Sequence, residues 1–100
     1  MKNFRTYDLA VEFYKSTKTL PLPGYAKNQL LRAAHSIVLN LAEGRGRPTV
    51  KDQKRFFSIS LGSLRECQAI LQLEELDDTQ EWKKLDILGA HLFKLIKGAG

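Results

Sequence analysis

One hundred residues fit a single domain, 1–100, and a compact chain of this length has a radius of gyration of about 13 Å. Sixteen Lys and Arg against eleven Asp and Glu give a net charge of +5, a balance that favours anionic partners such as nucleic acid without requiring one. Cys67 is the only cysteine, which excludes an intrachain disulfide and fits a reducing compartment. The N-terminal "MKNFRTYDLAVEFYK" lacks the apolar core of a signal peptide, and no apolar run approaches the ~20 residues of a membrane span, so a soluble cytoplasmic protein is expected.

Three clusters of turn residues divide the chain. They are Pro21, Pro23 and Gly24, then Gly44, Gly46 and Pro48, then Asp77, Asp78 and Thr79. The first segment, about 5–19, places Leu9, Ala10, Phe13 and Tyr14 at helical spacing. The second, about 25–43, carries Leu30, Ala33, Ala34, Ile37, Leu41 and Ala42 at three-four intervals, the stripe of a buried helix face. Gly44 is expected to take a left-handed conformation that ends this helix, and Pro48 and Thr49 to start the next.

The third segment, about 49–76, opens on a capping-box variant, Thr49 with Asp52. Phe57, Ser60, Leu61, Leu64 and Leu71 form one apolar stripe. Phe56, Ile59, Ile70 and Leu73 form a second beside it, wider than one core requires and so a candidate surface for another subunit. At 1.5 Å per residue this helix would be roughly 40 Å long and project beyond its neighbours. The fourth segment, about 79–97, has Trp82, Leu85, Leu88, Leu92, Leu95 and Ile96 on one face, with Asp78 and Glu81 as a start signal. Four helices with short links predict an all-α, antiparallel up-down four-helix bundle.

That topology turns charge into geometry. One end collects Lys2, Arg5, Arg45, Arg47, Lys51, Lys54, Arg55, Lys94 and Lys97 against Asp8, Glu43 and Asp52. The other collects Glu74, Glu75, Asp77, Asp78, Glu81 and Asp86. Along the third helix Lys51, Lys54, Arg55, Ser58 and Arg65 share a flank that suits a phosphate backbone. Arg45 and Arg47 sit beside the amides of a helix start, which also favour anions.

Catalytic chemistry is not apparent. His35 and His91 have no second histidine at metal-ligand spacing, and Cys67 falls on a core-facing position. "LGSLRE" around Ser63 is not a nucleophile elbow, and "GRGRPT" is not a P-loop. The expectation is no enzyme, no metal and no cofactor. Asn40 follows Ser36 by one turn and is read as bonding water or a neighbouring helix. Glu66 is read as pairing with Lys27 or Arg32, within or between subunits, and Gly62 as a point of close approach for another helix.

"SIVLNLAEGRGR" (36–47) and "RFFSISLGSLRE" (55–66) together resemble the four-helix-bundle family of the 23S rRNA intervening-sequence protein. The positions that carry the resemblance are Ser36, Ile37, Asn40, Ala42, Glu43, Gly44, Gly46 and Arg47, then Arg55, Phe56, Ile59, Gly62, Ser63 and Glu66. The chain departs from the family pattern at Val38, where proline is frequent, and in "YDLAVEFY", which has no tryptophan; it is also somewhat short. The resemblance implies a bundle that assembles into a homo-oligomeric ring, commonly a pentamer, with no catalytic motif. A related branch serves diversity-generating retroelements as an accessory protein that binds RNA and a reverse transcriptase. The expected function is therefore nucleic-acid binding, RNA more than DNA, with Arg45, Arg47, Lys51, Lys54, Arg55 and Arg65 on phosphates. Arg32, Asn40, Glu43, Phe56, Ile59, Gly62, Glu66 and Ile70 are expected to serve structure or assembly. The alternative is an oligomeric adaptor for a protein such as a reverse transcriptase-like enzyme.

Overall fold

A computed structural model describes residues 4–98, which form four helices: α1 (Arg5–Thr17), α2 (Gly24–Arg45), α3 (Val50–Leu73) and α4 (Gln80–Gly98). Lys2 lies outside the described residues. Each helix packs on its neighbours in sequence, and α1 also packs on α4, which closes the four into a bundle. The radius of gyration is 13.1 Å and the extents are 40 × 22 × 20 Å. No helix among the described residues is long and apolar enough to cross a membrane.

The core follows the helical period. Ala10 and Phe13 of α1, Leu30, Ala33, Ala34, Ile37 and Leu41 of α2, and Leu85, Leu88 and Leu92 of α4 are buried. From α3 come Phe57, Ser60, Leu64, Cys67 and Leu71. Burying each large side chain contributes about 1.5–3 kcal/mol, so the stripes rather than any single contact hold the bundle together. Ile70 also belongs to this core, not to an outer stripe, because it faces inward at 7% exposure. Leu73, one turn further, is 79% exposed.

The helix ends differ from expectation in instructive ways. α2 runs through Gly44 to Arg45, and no glycine among the described residues has a positive φ. Gly44 is needed for space instead. A Cβ there would meet Phe57 Cε1 at 2.7 Å and Cδ1 at 2.9 Å, so the glycine lets α3 close on α2. Thr49 caps α3 as expected, its hydroxyl accepting from the Asp52 amide at 3.2 Å. α3 ends at Leu73, only slightly longer than α2, so it does not project as a 49–76 helix would.

Among the described residues the left-handed one is Glu75, at φ 59°. The Leu76 amide donates to the Leu71 carbonyl (2.7 Å) and the Glu75 amide to Gln72 (3.1 Å), which is a Schellman ending with glutamate where glycine is usual. Thr79, not Asp78, starts α4, since its hydroxyl accepts from the Trp82 amide at 3.3 Å. In the first link Leu20 is buried, and its carbonyl accepts from Lys27 Nζ at 3.1 Å.

Candidate nucleic-acid interface

The α2–α3 link brings the start of α1, the end of α2 and the start of α3 together around aromatic rings. Phe4 is buried, lies 6.3 Å from the Phe57 ring and stacks over Tyr7. The Arg45 guanidinium sits 4.5 Å from the Phe4 centroid. Arg47 and Arg55 share a second ring, at 4.6 and 4.5 Å from the centre of Phe56. Each stacked arginine gains roughly 0.5–1 kcal/mol at such an exposed site, and its fork is held in one orientation.

Two of these arginines are also tied to carboxylates. Arg47 pairs with Glu43 at 3.2 Å, and Arg55 donates from Nε to Asp52 at 3.1 Å. Arg47 Nε lies 3.7 Å from the second Asp52 oxygen. That spacing gives attraction between charges without a hydrogen bond, and Arg47 Nε is buried without an acceptor. Asp52 thus serves three roles. Its amide completes the Thr49 cap, its charge favours the helix start, and its carboxylate steadies two guanidiniums. Gln53 Nε2 adds a bond to the Arg47 carbonyl at 2.9 Å, fixing the link itself.

The remaining cations stand differently. Lys51 and Arg65 are exposed and Lys54 is half-buried, and none has a carboxylate partner among the described residues. Lys51, Lys54, Ser58, Leu61, Arg65 and Gln68 recur at three-four spacing, a single stripe along α3. Of the six expected phosphate contacts, Lys51, Lys54 and Arg65 are thus uncommitted. Arg45 carries only a ring, and Arg47 and Arg55 are partly neutralised.

The residues expected to serve structure separate into two groups. Asn40 Nδ2 donates to the Ser36 carbonyl and hydroxyl within α2, at 2.9 and 3.1 Å, rather than across to another helix. The Ser36 and Ser63 hydroxyls bond at 2.7 Å, and Ser60 donates to the Ile37 carbonyl at 2.9 Å. Asn40, through Ser36, and Glu43 and Phe56, through Arg47, are thus engaged along the α2–α3 seam and its link, and Ile70 lies in the core. Arg32, Ile59, Gly62 and Glu66 have no such place. All are exposed, and a Cβ on Gly62 would meet nothing within 4 Å.

Glu66 forms no ion pair within the described chain. The Ser36–Ser63 contact puts it level with Arg32 and Ala33, and Lys27 is already bonded to Leu20. Cys67, beside it in sequence, is buried inward. Loss of water and then the Glu66 charge push its thiol from 9.0 up to about 12, against a weaker opposing bond to its own backbone, so the buried thiol stays protonated near neutral pH.

Sequence reasoning missed the aromatic anchors. Phe4 stands just before α1 and Phe56 one position from the core residue Phe57, and nothing in either pattern signals an arginine across the link. It also missed a cleft of about 250 Å³ between α3 and α4, lined by Arg65, Gln68, Asp86, Gly89, Ala90 and Phe93 among others. No group of three or more metal-ligating side chains occurs among the described residues.

A family model described as 23S rRNA-intervening sequence protein matches residues 4–97. The chain belongs to that family. No curated protein matched it in a parallel search. The match takes in all the described helices but the last residue of α4, so the seam and the arginine–aromatic cluster both lie within the family unit.

Proposed function

We propose that this member of the family is a non-enzymatic, cytoplasmic homo-oligomer that binds nucleic acid, RNA in preference to DNA, along the basic stripe of α3. The observation that carries the reading is the set Lys51, Lys54 and Arg65, cations at helical spacing with no carboxylate partner within the described chain. The family's description, 23S rRNA-intervening sequence protein, supports RNA over DNA in this reading.

The helices alternate in direction in this reading. Pairs such as Gly44 with Phe57 and Ser36 with Ser63 support that for α2 and α3, and Arg45 with Phe4 and Lys27 with Leu20 for the first link. The subunits form a ring of five through the outer edge of α3. Ile59, Gly62 and Glu66 are family-pattern positions exposed on the described chain, and they share this edge with exposed Leu73. A ring would repeat the basic stripe, so modest contacts per subunit sum.

The test is fluorescence anisotropy with labelled RNA at stepped salt. Each neutralised phosphate contributes roughly 0.7–0.9 to the slope of log affinity against log salt. Converting Lys51, Lys54 and Arg65 to Gln should lower the slope by about 2 per subunit engaged. Affinity that hardly changes with salt refutes the reading. Light scattering on Ile59→Lys tests the ring, and an unchanged mass removes that edge as the interface. A second reading, an adaptor for a reverse transcriptase-like protein, draws on exposed Leu73 and Ile87 near the acidic α3–α4 link. It predicts a protein partner retained after nuclease treatment.

A further inference from the structure

The cleft between α3 and α4 is not explained by phosphate binding alone. Leu61 and Leu64 form its apolar floor, and Arg65 and Gln68 stand on the α3 side. Asp86, Gly89, Ala90 and Phe93 face them from α4. Arg65 and Asp86 line the same space but form no ion pair, so the cleft keeps a cation and a carboxylate apart. Phe93 is 52% exposed although it is a large aromatic residue, and Lys97 Nζ lies 5.4 Å from its ring centre.

Each of these features matches one part of a nucleotide. An exposed ring is a platform on which a base stacks, and stacking needs no particular base. Lys97 Nζ lies over one face of the ring, which leaves the other for a base, and Arg65 lines the same cleft, so both bring positive charge suited to the adjoining phosphates. The Asp86 carboxylate only accepts hydrogen bonds, whereas the Gln68 amide both donates and accepts. A base with an exocyclic amine satisfies that pair, as a carboxylate accepting from the cytosine amine does. Uracil presents carbonyl oxygens on both sides of its one N–H and meets the carboxylate unfavourably.

Position adds to the chemistry. Lys51, Lys54, Ser58, Leu61, Arg65 and Gln68 form one stripe, and its last three members line the cleft, so the cationic row of α3 leads into it. A strand whose phosphates follow the row would hold its bases over the gap between the helices. A duplex keeps its bases paired and cannot insert one without unstacking it.

We propose that the α3–α4 cleft takes a single unstacked nucleobase bearing an exocyclic amine, cytosine, adenine or guanine over uracil, from a strand whose backbone lies on the basic stripe. This rests on the nucleic-acid reading above and gives single strands a contact that a duplex, held by the basic stripe alone, does not make.

The test uses the full-length protein with 12-nucleotide oligo(C), oligo(A) and oligo(U) probes and a duplex RNA. Phe93→Leu removes the stacking face, and Ala90→Leu fills the cleft from an exposed position without adding an aromatic ring. Each should weaken oligo(C) binding about tenfold, leave its salt slope unchanged and leave duplex binding unaffected. Asp86→Asn should reduce the preference for oligo(C) over oligo(U). In a parallel measurement on the unaltered protein, cytidine monophosphate should shift the NMR signals of the Gln68 side-chain amide and of Gly89 and Ala90, and ribose 5-phosphate should not.

Wild-type binding to both single strands and duplex that neither variant alters overturns the cleft while leaving the basic stripe intact. Equal shifts with ribose 5-phosphate overturn it in favour of anion binding alone. A change in oligomer mass on Ala90→Leu would show a neighbouring subunit in the cleft and also overturn it. Failure of the wild-type protein to bind any probe in a salt-dependent way removes the underlying reading, and this inference with it.

Discussion

Gly44→Ala places two opposing effects in direct competition. The residue lies inside α2 with no positive φ, so helix propensity alone favours alanine by about 1 kcal/mol. The new methyl, however, would stand 2.7 and 2.9 Å from two Phe57 ring carbons and 3.1 Å from Phe56 Cβ. Comfortable carbon contacts are roughly 3.5–4.0 Å, so the ring must retreat by something near 0.8 Å. It has little room, being 3% exposed and packed against Phe4, which itself carries Arg45. Overpacking of this kind costs typically 1–3 kcal/mol, and the double ring contact with its Phe4 backing argues for the upper part of that range.

The net expectation is a loss of about 2 kcal/mol, or roughly 8–16 °C in Tm for a domain of this size. Gly89→Ala is the control. Its methyl would lie 3.6 Å from Leu64 Cδ2, an ordinary contact, so propensity should win and Tm should rise by about 4–8 °C. Thermal melts at one fixed protein concentration compare the two, since any assembly makes Tm concentration-dependent. Adding Phe57→Leu to Gly44→Ala should recover part of the loss, which a double-mutant cycle reads directly. A Gly44→Ala protein that melts at or above wild type would show that the α2–α3 closure does not depend on the missing methyl.

Three further outcomes follow from particular side chains. Glu75→Gly should stabilise by about 1 kcal/mol in a denaturant melt, because the left-handed φ of 59° costs glutamate that much and glycine almost nothing. Ser60→Ala should cost about 1 kcal/mol, since the fully buried hydroxyl loses its bond to the Ile37 carbonyl at 2.9 Å. Cys67 should resist a thiol reagent in the native protein at pH 8 and react once in denaturant. Its folded thiol keeps the proton up to about pH 12, whereas an unshifted one releases it near 9.0. Between those values the unfolded chain binds fewer protons, so stability should fall as pH rises through the window, by at most ~1.4 kcal/mol per unit, and Cys67→Ala should remove that component.

The interior of each helix was legible because burial repeats at the helical period. Leu30, Ala33, Ala34, Ile37 and Leu41 read directly as a face, and the Thr49 cap followed from residue chemistry. What could not be read depends on a second element. Gly44 sits next to a link, where glycine commonly signals a turn, and its steric role appears only when Phe57 is brought over it. Glu75 adopts a conformation that its residue type disfavours, so propensity points away from it. Ile70 and Leu73 are both apolar and one turn apart, and only the path of the neighbouring helices sends one inward and leaves the other exposed. The arginine–phenylalanine stacks and the α3–α4 cleft likewise need the register between helices, which periodicity within one helix does not contain.

The family pattern therefore divides by what its residues touch. Ser36, Asn40, Glu43, Gly44, Arg47, Arg55, Phe56 and Ser63 are engaged within the chain, chiefly across the α2–α3 seam and its link. Their substitution should lower Tm and affect RNA affinity mainly through folding. Lys51, Lys54 and Arg65 lie outside the pattern and carry the unpaired charge of the stripe. Their substitution should leave stability within about 0.5 kcal/mol of wild type, as surface changes usually do, while lowering the salt slope. If instead Arg47→Gln lowered the slope at unchanged Tm and Lys54→Gln did not, the arginine–aromatic cluster would be the phosphate site. The pairing of Arg47 with Glu43 would then have to open on binding. The present geometry argues against that order. Releasing Arg47 would give up its Glu43 contact and its place on Phe56, whereas Lys51 and Arg65 reach a phosphate with no ion pair to break.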